Sequence, residues 1–168
     1  SLNGQAMSDD ILVDVKTHFS GMEVREGGTK LWSRPGVILG DAQAVLSRHG
    51  FMLGPDPGST SVCTIGGVLA DNSGGMRCSL ERDSYHSIEE LVFVLPSGTI
   101  VDTARGDDAF RKQEPKLHAD LLAFRDKLRT NTKMVEFLRT KFSIRNPNGW
   151  RIDAFLDEDE PVHILKRL

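Results

Sequence analysis

Apolar residues along the chain follow strand-like runs and helix-like spacings in turn. Residues 11–15 form a short apolar run, which predicts a strand. Residues 22–26 and 30–34 flank Gly27-Gly28, a pair that favours a two-residue type I′ turn because both central positions of that turn need positive φ. The pattern therefore predicts a β-hairpin, which ends at Pro35-Gly36.

Residues 37–49 change to helical spacing. One face carries apolar side chains at intervals of three and four residues, and Gly50 follows as the expected C-terminal stop. That face consists of Ile38, Ala42, Val45, Leu46 and His49. Further along, residues 64–69 predict a short helix, whose free N-terminal N–H groups would favour an anion.

The middle of the chain predicts a second hairpin. Residues 77–87 are polar and irregular, whereas residues 91–95 and 99–103 are apolar runs joined by Pro96-Ser97-Gly98. Because the run at 91–95 has no polar face, we expect that strand to be buried on both sides. The charged residues 103–113 predict a loop or a frayed turn.

Two apolar stripes then predict core-facing helices. Pro115 suits the first position of one helix, and the second helix is expected to end near Lys141. The stripes consist of Leu117, Leu121, Phe124 and Leu128, and of Met134, Val135, Leu138 and Phe142. Residues 146–149 predict a turn, and the acids at 157–160 predict a solvated loop before a final short helix. The whole pattern predicts an α+β fold, with a mainly antiparallel sheet of about five strands flanked by helices.

Composition and charge narrow the function classes. The 168 residues suit one domain, and the net charge of −3 at pH 7 gives no general electrostatic reason to bind nucleic acid. The two cysteines, Cys63 and Cys78, fit reduced thiols, and no apolar run is long enough to span a bilayer. The five histidines show no local metal-ligand spacing, and no hydrolase motif is present, so we expect neither a metal site nor a hydrolytic nucleophile.

Small residues are concentrated at positions 55–75, which read PDPGSTSVCTIGGVLADNSGG. Glycine has no Cβ, so its backbone can approach a ligand closely, and exposed N–H groups can hold a diphosphate in an acidic chain. The stretch contains neither a Rossmann nor a Walker fingerprint. Two interpretations stay open: a long surface loop with two turns, or a site built from bare main-chain amides.

The same stretch, with DSYHSIEELVFVLPSGTIVDT after it, resembles the FAD-binding domain of the vanillyl-alcohol-oxidase type, also called the PCMH type. The branch that it resembles contains the D-lactate, glycolate and D-2-hydroxyglutarate dehydrogenases. SLNGQA at the start resembles the end of that family's phosphate loop, and FSIRNPNGWRIDAFLD resembles the segment before its Gly-Ser-Glu-Gly-Thr-Leu motif. The resemblance implies that residues 1–168 form the second lobe of a longer FAD-binding domain, with the first lobe and a downstream substrate domain absent.

The resemblance also implies which residues hold FAD. Thr64, Gly66 and Gly67 would line the pyrophosphate, with Ile65 supplying an N–H group. The PDPGS segment would lie near the adenosine diphosphate and the flavin, and the family's next contact segment begins at Asn72. These two segments contribute Pro55, Asp56, Pro57 and Ser59, and Asn72, Gly74 and Gly75. For residues 72–75, a helix C-cap and turn is the alternative interpretation.

Three neighbouring side chains keep two interpretations each. Tyr85 or His86 would reach the flavin, or would pack at the surface or at the edge of the core, and Arg77 would pair with a phosphate or stay solvated. Many family members have Tyr-Gly near the flavin where this chain has Glu81-Arg82, which leaves contacts at 78–84 open. Because the family's proton-handling and metal-binding residues lie downstream, no catalytic residue is assigned.

The activity implied by the resemblance is hydride transfer from a D-2-hydroxy acid to FAD. An iron–sulfur module, a flavoprotein or a quinone would accept the electrons, and the protein would bind and orient the cofactor. The expected location is cytoplasmic, or peripheral at the inner face of the membrane. Alternatives are an oxidase or cell-wall reductase of the same flavin fold, a different bound nucleotide, or a noncatalytic interaction module. We expect residues 1–168 alone to bind FAD weakly or not at all.

Overall fold

The computed structural model of the chain describes residues 11–144 and 150–168. The chain divides into two compact units, which hold the described residues up to Ser87 and from Ile88 onward. Each unit combines helices with one two-stranded antiparallel sheet, so the fold class is α+β, as predicted. Within the described residues there are two such small sheets, and the prediction of one sheet of about five strands is wrong.

The first unit contains the predicted hairpin, with a longer loop. Met22–Arg25 (β1) pairs antiparallel with Lys30–Ser33 (β2). The loop has four residues rather than two, because a 3₁₀ turn at Glu26–Gly28 is followed by Thr29, whose hydroxyl donates to the carbonyl of Glu26 at 2.9 Å. All three residues of that turn have positive φ. The glycine pair therefore marks the turn correctly but does not form a type I′ turn.

Residues 11–15 do not form the predicted strand. Within the described part of the chain no strand pairs with them, and Ile11 and Val13 are 91% and 75% exposed. Apolar composition alone does not make a strand, because an isolated strand leaves its backbone N–H and C=O groups without ladder partners.

Leu39–Ser47 (α1) confirms the first predicted helix. Its buried residues include Leu39, Ala42 and Leu46. Gly50 has a φ of 80° and donates to the carbonyl of Ser47 at 3.0 Å, while the amide of Phe51 donates to the carbonyl of Leu46 at 3.2 Å. These two bonds form a Schellman motif, which confirms Gly50 as the stop signal.

Ile65–Ala70 (α2) confirms the short helix in the glycine-rich stretch. The polar segment after it is more regular than predicted, with a 3₁₀ turn at Leu80–Arg82 and a one-turn helix at Ser84–Ser87 (α3). Asp83 starts α3, because its carboxylate accepts the amide of His86 at 3.0 Å in the manner of an N-cap.

In the second unit, Val92–Val94 (β3) pairs antiparallel with Ile100–Asp102 (β4), confirming the second hairpin. Gly98 closes the turn with a φ of 83°. The expected burial of the first strand on both sides is wrong: Val92 and Val94 are 63% and 66% exposed. Successive strand residues point to opposite faces, and no described element covers the outer face of this sheet.

The charged segment after β4 is helical rather than a loop. A 3₁₀ turn at Thr103–Arg105 leads into Asp107–Gln113 (α4). Acids occupy the first turn of α4 and bases its last turn, which favours the helix dipole, and Phe110 anchors the helix with 1% exposure.

Pro115–Thr130 (α5) and Thr132–Phe142 (α6) confirm the two striped helices. Leu121, Leu128 and Leu138 are buried, whereas Phe124 and Met134 are 43% and 41% exposed, so the two stripes face the core only in part. Ala154–Asp157 (α7) and Pro161–Arg167 (α8) complete the unit. The turn predicted at 146–149 and the SLNGQA segment lie outside the described residues.

The acidic run at 157–160 is exposed at three of its four positions, as expected of a solvated segment, and it is also ion-paired. Arginines from three helices reach it, and the side chain of Arg129 also bonds the carbonyl oxygens of Phe155 and Glu158 at 2.9 and 2.8 Å. The ion pairs are Arg139–Asp157, Arg167–Glu158 and Arg129–Asp159.

Candidate functional site

The candidate site is the glycine-rich stretch, which we define as residues 55–78 of the first unit. Its central element is α2, capped by Thr64. The extended backbone of Thr64 forms an isolated antiparallel bridge with Ile38, and its hydroxyl accepts the amide of Gly67 at 3.2 Å. A threonine N-cap with glycine at the third helical position explains why the helix starts here.

The first amides of α2 are bonded within the protein. Ile65 donates its N–H to the carbonyl of Val37 at 2.8 Å, and Gly66 donates to the carbonyl of Pro35 at 2.9 Å. With Gly67 bonded to the cap, all three leading amides have acceptors. The expectation that these amides are bare is therefore wrong, because α2 begins alongside the segment that leads into α1.

The two glycines of α2 have different surroundings. A Cβ on Gly66 would lie 2.7 Å from the Cβ and 3.1 Å from the oxygen of Pro35. Among the described residues, a Cβ on Gly67 would meet only the hydroxyl of Thr64, at 3.4 Å. Gly66 therefore permits close packing of two segments of the chain, whereas Gly67 borders open space that a ligand can approach.

Asp56 joins the two ends of the site. Its carboxylate accepts the amide of Arg77 at 3.0 and 3.1 Å and the amide of Cys78 at 3.3 Å. A Cβ on Gly75 would lie 2.0 Å from Oδ1 of Asp56, so only glycine fits there. The Arg77 side chain is 74% exposed, with Nε 3.8 Å from Oδ2 of Asp56.

Three consecutive amides just before this contact have no acceptor in the described part of the chain: those of Gly74, Gly75 and Met76. On one side, the amide of Ser73 donates to the carbonyl of Val68 at 2.9 Å, and on the other the Asp56 carboxylate holds the chain. Successive N–H groups of this kind are the donors that a phosphate accepts. The structure thus moves the candidate donors from the start of α2 to residues 74–76.

Asn72 has an internal structural role. It lies just after α2 with a φ of 46° and is 8% exposed. Its Oδ1 accepts the amide of Tyr85 at 3.3 Å, and its Nδ2 donates to Asp83 at 3.4 Å. This geometry favours the helix-end interpretation for Asn72, because its side-chain groups are engaged with the following segment.

Tyr85 and His86 differ in their exposure to solvent. Tyr85 is 4% exposed and packs its ring edge-on against His86, with centroids 5.0 Å apart. His86 is more exposed, and its Nδ1 lies 2.6 Å from Asp83. Asp83 was not among the predicted residues; its position three residues before His86 is the N-cap spacing that could have indicated it.

The PDPGS segment is held by α1. Nε2 of Gln43 donates to the carbonyl of Leu53 at 2.9 Å and to that of Pro55 at 3.4 Å. The carbonyl of Pro57 accepts the amide of Thr60 at 2.9 Å, forming a turn. No sequence pattern indicated Gln43, because its partners lie ten and twelve residues away.

The described residues hold no group of three or more His, Cys, Asp or Glu side chains that could bind a metal ion. None of the helices in the described ranges is long and apolar enough to cross a membrane.

Comparison with known proteins gives one family and several relatives. Residues 1–104 match the FAD binding domain family. The D-2-hydroxyglutarate dehydrogenase of Pseudomonas putida is 28% identical over 113 residues, which are 66% of this chain and 11% of that protein. The glycolate oxidase subunit GlcD of Bacillus subtilis is 34% identical over 82 residues, 49% of this chain and 17% of that protein. The D-lactate dehydrogenase of Anaerostipes hadrus is 36% identical over 66 residues, which are 39% of this chain and 14% of that protein.

This chain therefore spans between 11% and 17% of the length of these curated relatives. No solved structure matches it. The site nevertheless suits the cofactor, because the unbonded amides at 74–76 are donors that can hold a diphosphate without basic side chains, and no Cβ at Gly67 obstructs its approach. The chain belongs to the FAD binding domain family, in the PCMH-type branch that its motifs resemble, and its cofactor is FAD.

Proposed function

We propose that this chain is the FAD-binding part of a flavin-dependent dehydrogenase that oxidises a D-2-hydroxy acid. The observation that carries the proposal is the family match over residues 1–104, supported by relatives named for D-2-hydroxyglutarate, D-lactate and glycolate. When bound, FAD supplies a two-electron acceptor, and the residues of this chain bind and orient it.

The proposed contacts fall into two groups. The unbonded amides of residues 74–76 would donate to the diphosphate, while Gly67 leaves room for it and Thr64 keeps α2 in place beside it. The remaining predicted residues shape the loop around these donors. They are Pro55, Asp56, Pro57, Ser59, Ile65, Gly66 and Asn72.

The proposal places the rest of the enzyme elsewhere in the same polypeptide. The relatives are much longer than this chain, which supports a first FAD-binding lobe and a substrate domain outside residues 1–168. Groups that bind the hydroxy acid and accept its hydroxyl proton would lie in that substrate domain. An iron–sulfur module or a quinone would take the electrons, in the cytoplasm or at the inner face of the membrane.

The test uses the protein from its complete reading frame. The purified protein should carry a flavin absorbance that D-lactate, glycolate or D-2-hydroxyglutarate bleaches without oxygen, while L-lactate serves as the stereochemical control. Bleaching by none of the 2-hydroxy acids would refute the dehydrogenase proposal. A colourless protein would support a noncatalytic module, and fast reoxidation by oxygen with release of hydrogen peroxide would support an oxidase.

Residues 1–168 alone give a second test. We expect weak or no FAD binding, because the proposed cradle is completed by other parts of the polypeptide. Flavin fluorescence during a titration of the purified 168-residue chain measures this. A stable yellow complex at micromolar affinity would show that the described site is sufficient.

A further inference from the structure

We infer that Asp56 is a positioning residue for the diphosphate site rather than a ligand to it: its carboxylate holds the backbone at residues 77–78 and so presents the amides of residues 74–76. The inference rests on the proposed FAD site and adds the residue that shapes it.

The Asp56 carboxylate is fully engaged with the main chain. Both oxygens accept main-chain amides, Oδ1 from Arg77 and Cys78 and Oδ2 from Arg77, at 3.0 to 3.3 Å. The side chain is 19% exposed. A carboxylate that accepts these amides is strongly held, because hydrogen bonds to charged groups are the stronger class. It is also an unsuitable contact for a phosphate, which carries the same sign of charge.

The backbone at Gly75 packs directly against Asp56. Gly75 passes so close to Asp56 that a Cβ would lie 2.0 Å from Oδ1 and 2.2 Å from the main-chain oxygen. Glycine at position 75 is therefore required by an internal contact and not by the ligand itself. The carboxylate and the glycine together fix where residues 74–76 run.

The Asp56 carboxylate marks the boundary between bonded and open amides in this loop. The Asp56 carboxylate takes the amides of residues 77 and 78, and the next three amides back along the chain have no acceptor in the described residues. An anion at residues 74–76 would satisfy donors that the chain leaves open. Without the carboxylate, the amide of Arg77 would lose its acceptor, and the loop would lose the contact that fixes its path.

The experiment compares Asp56→Asn with Asp41→Asn in the protein from the complete reading frame. Asn keeps one acceptor oxygen and places an NH₂ group against the amide of Arg77, so the hold on residues 77–78 is weakened. Asp41 is an exposed acid on α1 in the same unit, and its variant makes the same charge change at a side chain that has no hydrogen bond to described residues of the site. FAD affinity and binding stoichiometry are measured by flavin fluorescence at a temperature where circular dichroism shows each variant folded.

We expect Asp56→Asn to bind FAD at full stoichiometry with a Kd at least about tenfold higher, since roughly one charge-assisted hydrogen bond is lost. Asp41→Asn should keep the original Kd. A merely structural role would lower the fraction of binding-competent protein without changing its Kd, so an unchanged Kd in Asp56→Asn overturns the inference. If the unchanged protein binds no FAD, the proposed function fails and the inference fails with it.

A measurement on the unchanged protein covers the case in which Asp56→Asn does not fold. Hydrogen–deuterium exchange should show that FAD protects the amides of residues 74–76, which are open, more than those of residues 65–67, which are already bonded. Added protection at 65–67 alone would overturn the inference.

Discussion

Gly66 and Gly67 are neighbours in one helix, yet replacing each with alanine should change stability in opposite directions. Neither glycine has the positive φ that would penalise a side chain, so the backbone accepts alanine at both positions. The two outcomes differ only in what the new methyl group meets. This makes the pair a direct test of how α2 packs.

For Gly66→Ala, the new Cβ would lie 2.7 Å from the Cβ of Pro35 and 3.1 Å from its oxygen. A proline ring and a backbone oxygen cannot move aside as a flexible side-chain end can. Overpacking of this kind costs about 1–3 kcal/mol, while alanine returns up to about 1 kcal/mol of helix propensity. We expect a net loss of about 1 kcal/mol in the free energy of unfolding.

For Gly67→Ala, the new Cβ would make an ordinary contact with the Thr64 hydroxyl at 3.4 Å and would meet no other part of the chain that the structure describes. Only the helix-propensity term then remains, so this variant should gain about 0.5–1 kcal/mol. In the protein from the complete reading frame it should also weaken FAD binding, because the methyl group enters the open space beside the proposed diphosphate.

The stability assay must report on the first unit alone. The sequence has two tryptophans, Trp32 in β2 and Trp150 in the second unit. Trp150 is 78% exposed, so Trp150→Phe should be a mild background change that leaves Trp32 as the fluorescent reporter. Urea titrations of both alanine variants in that background give the two free energies of unfolding.

Two results would contradict the packing of α2 against Pro35: a Gly66→Ala variant as stable as the background protein, or a shift of both variants in the same direction by similar amounts. Either result would mean that α2 does not lie against Pro35 as described. Unchanged FAD affinity in Gly67→Ala would leave the packing argument intact and contradict the proposed ligand position.

Three further predictions concern the second unit. Phe110 is 1% exposed, so Phe110→Ala should lower the free energy of unfolding by about 3–5 kcal/mol in urea titrations, and a loss below 1 kcal/mol would contradict its core position. Hydrogen bonding and charge from Arg129 hold the Asp159 pKa below its ordinary value of 3.8, so the pair stabilises the fold above that value and the contribution is lost as pH falls through the lowered pKa. In Arg129→Ala, an NMR titration should show the Asp159 pKa rising toward 3.8. His118 is buried with Nε2 2.6 Å from Asp107, so His118→Ala should cost about 1–3 kcal/mol, and adding Asp107→Asn should cost less than additively.

Local sequence features predicted most of the elements and the family. The stripes of α5 and α6, the stop at Gly50 and the glycine turns of both hairpins depend on spacing and backbone preference within a few residues. Helix α4 is not predicted, because its segment is highly charged and charged segments are typical of loops. Its acids in the first turn and bases in the last turn nevertheless favour a helix. The TIGG and following motifs predicted an FAD-binding domain, and the family match confirms it.

The tertiary structure decided which donors are available to a ligand. The amide of Gly66 finds its acceptor on Pro35, and that of Arg77 finds it on Asp56, so neither could be assigned from local pattern. The same holds for the arginines that pair with the acidic run and for the uncovered face of the second hairpin. The sequence shows which groups can donate or accept hydrogen bonds. Which of them are already bonded, and which stay open to a ligand, depends on how distant segments pack in the tertiary structure.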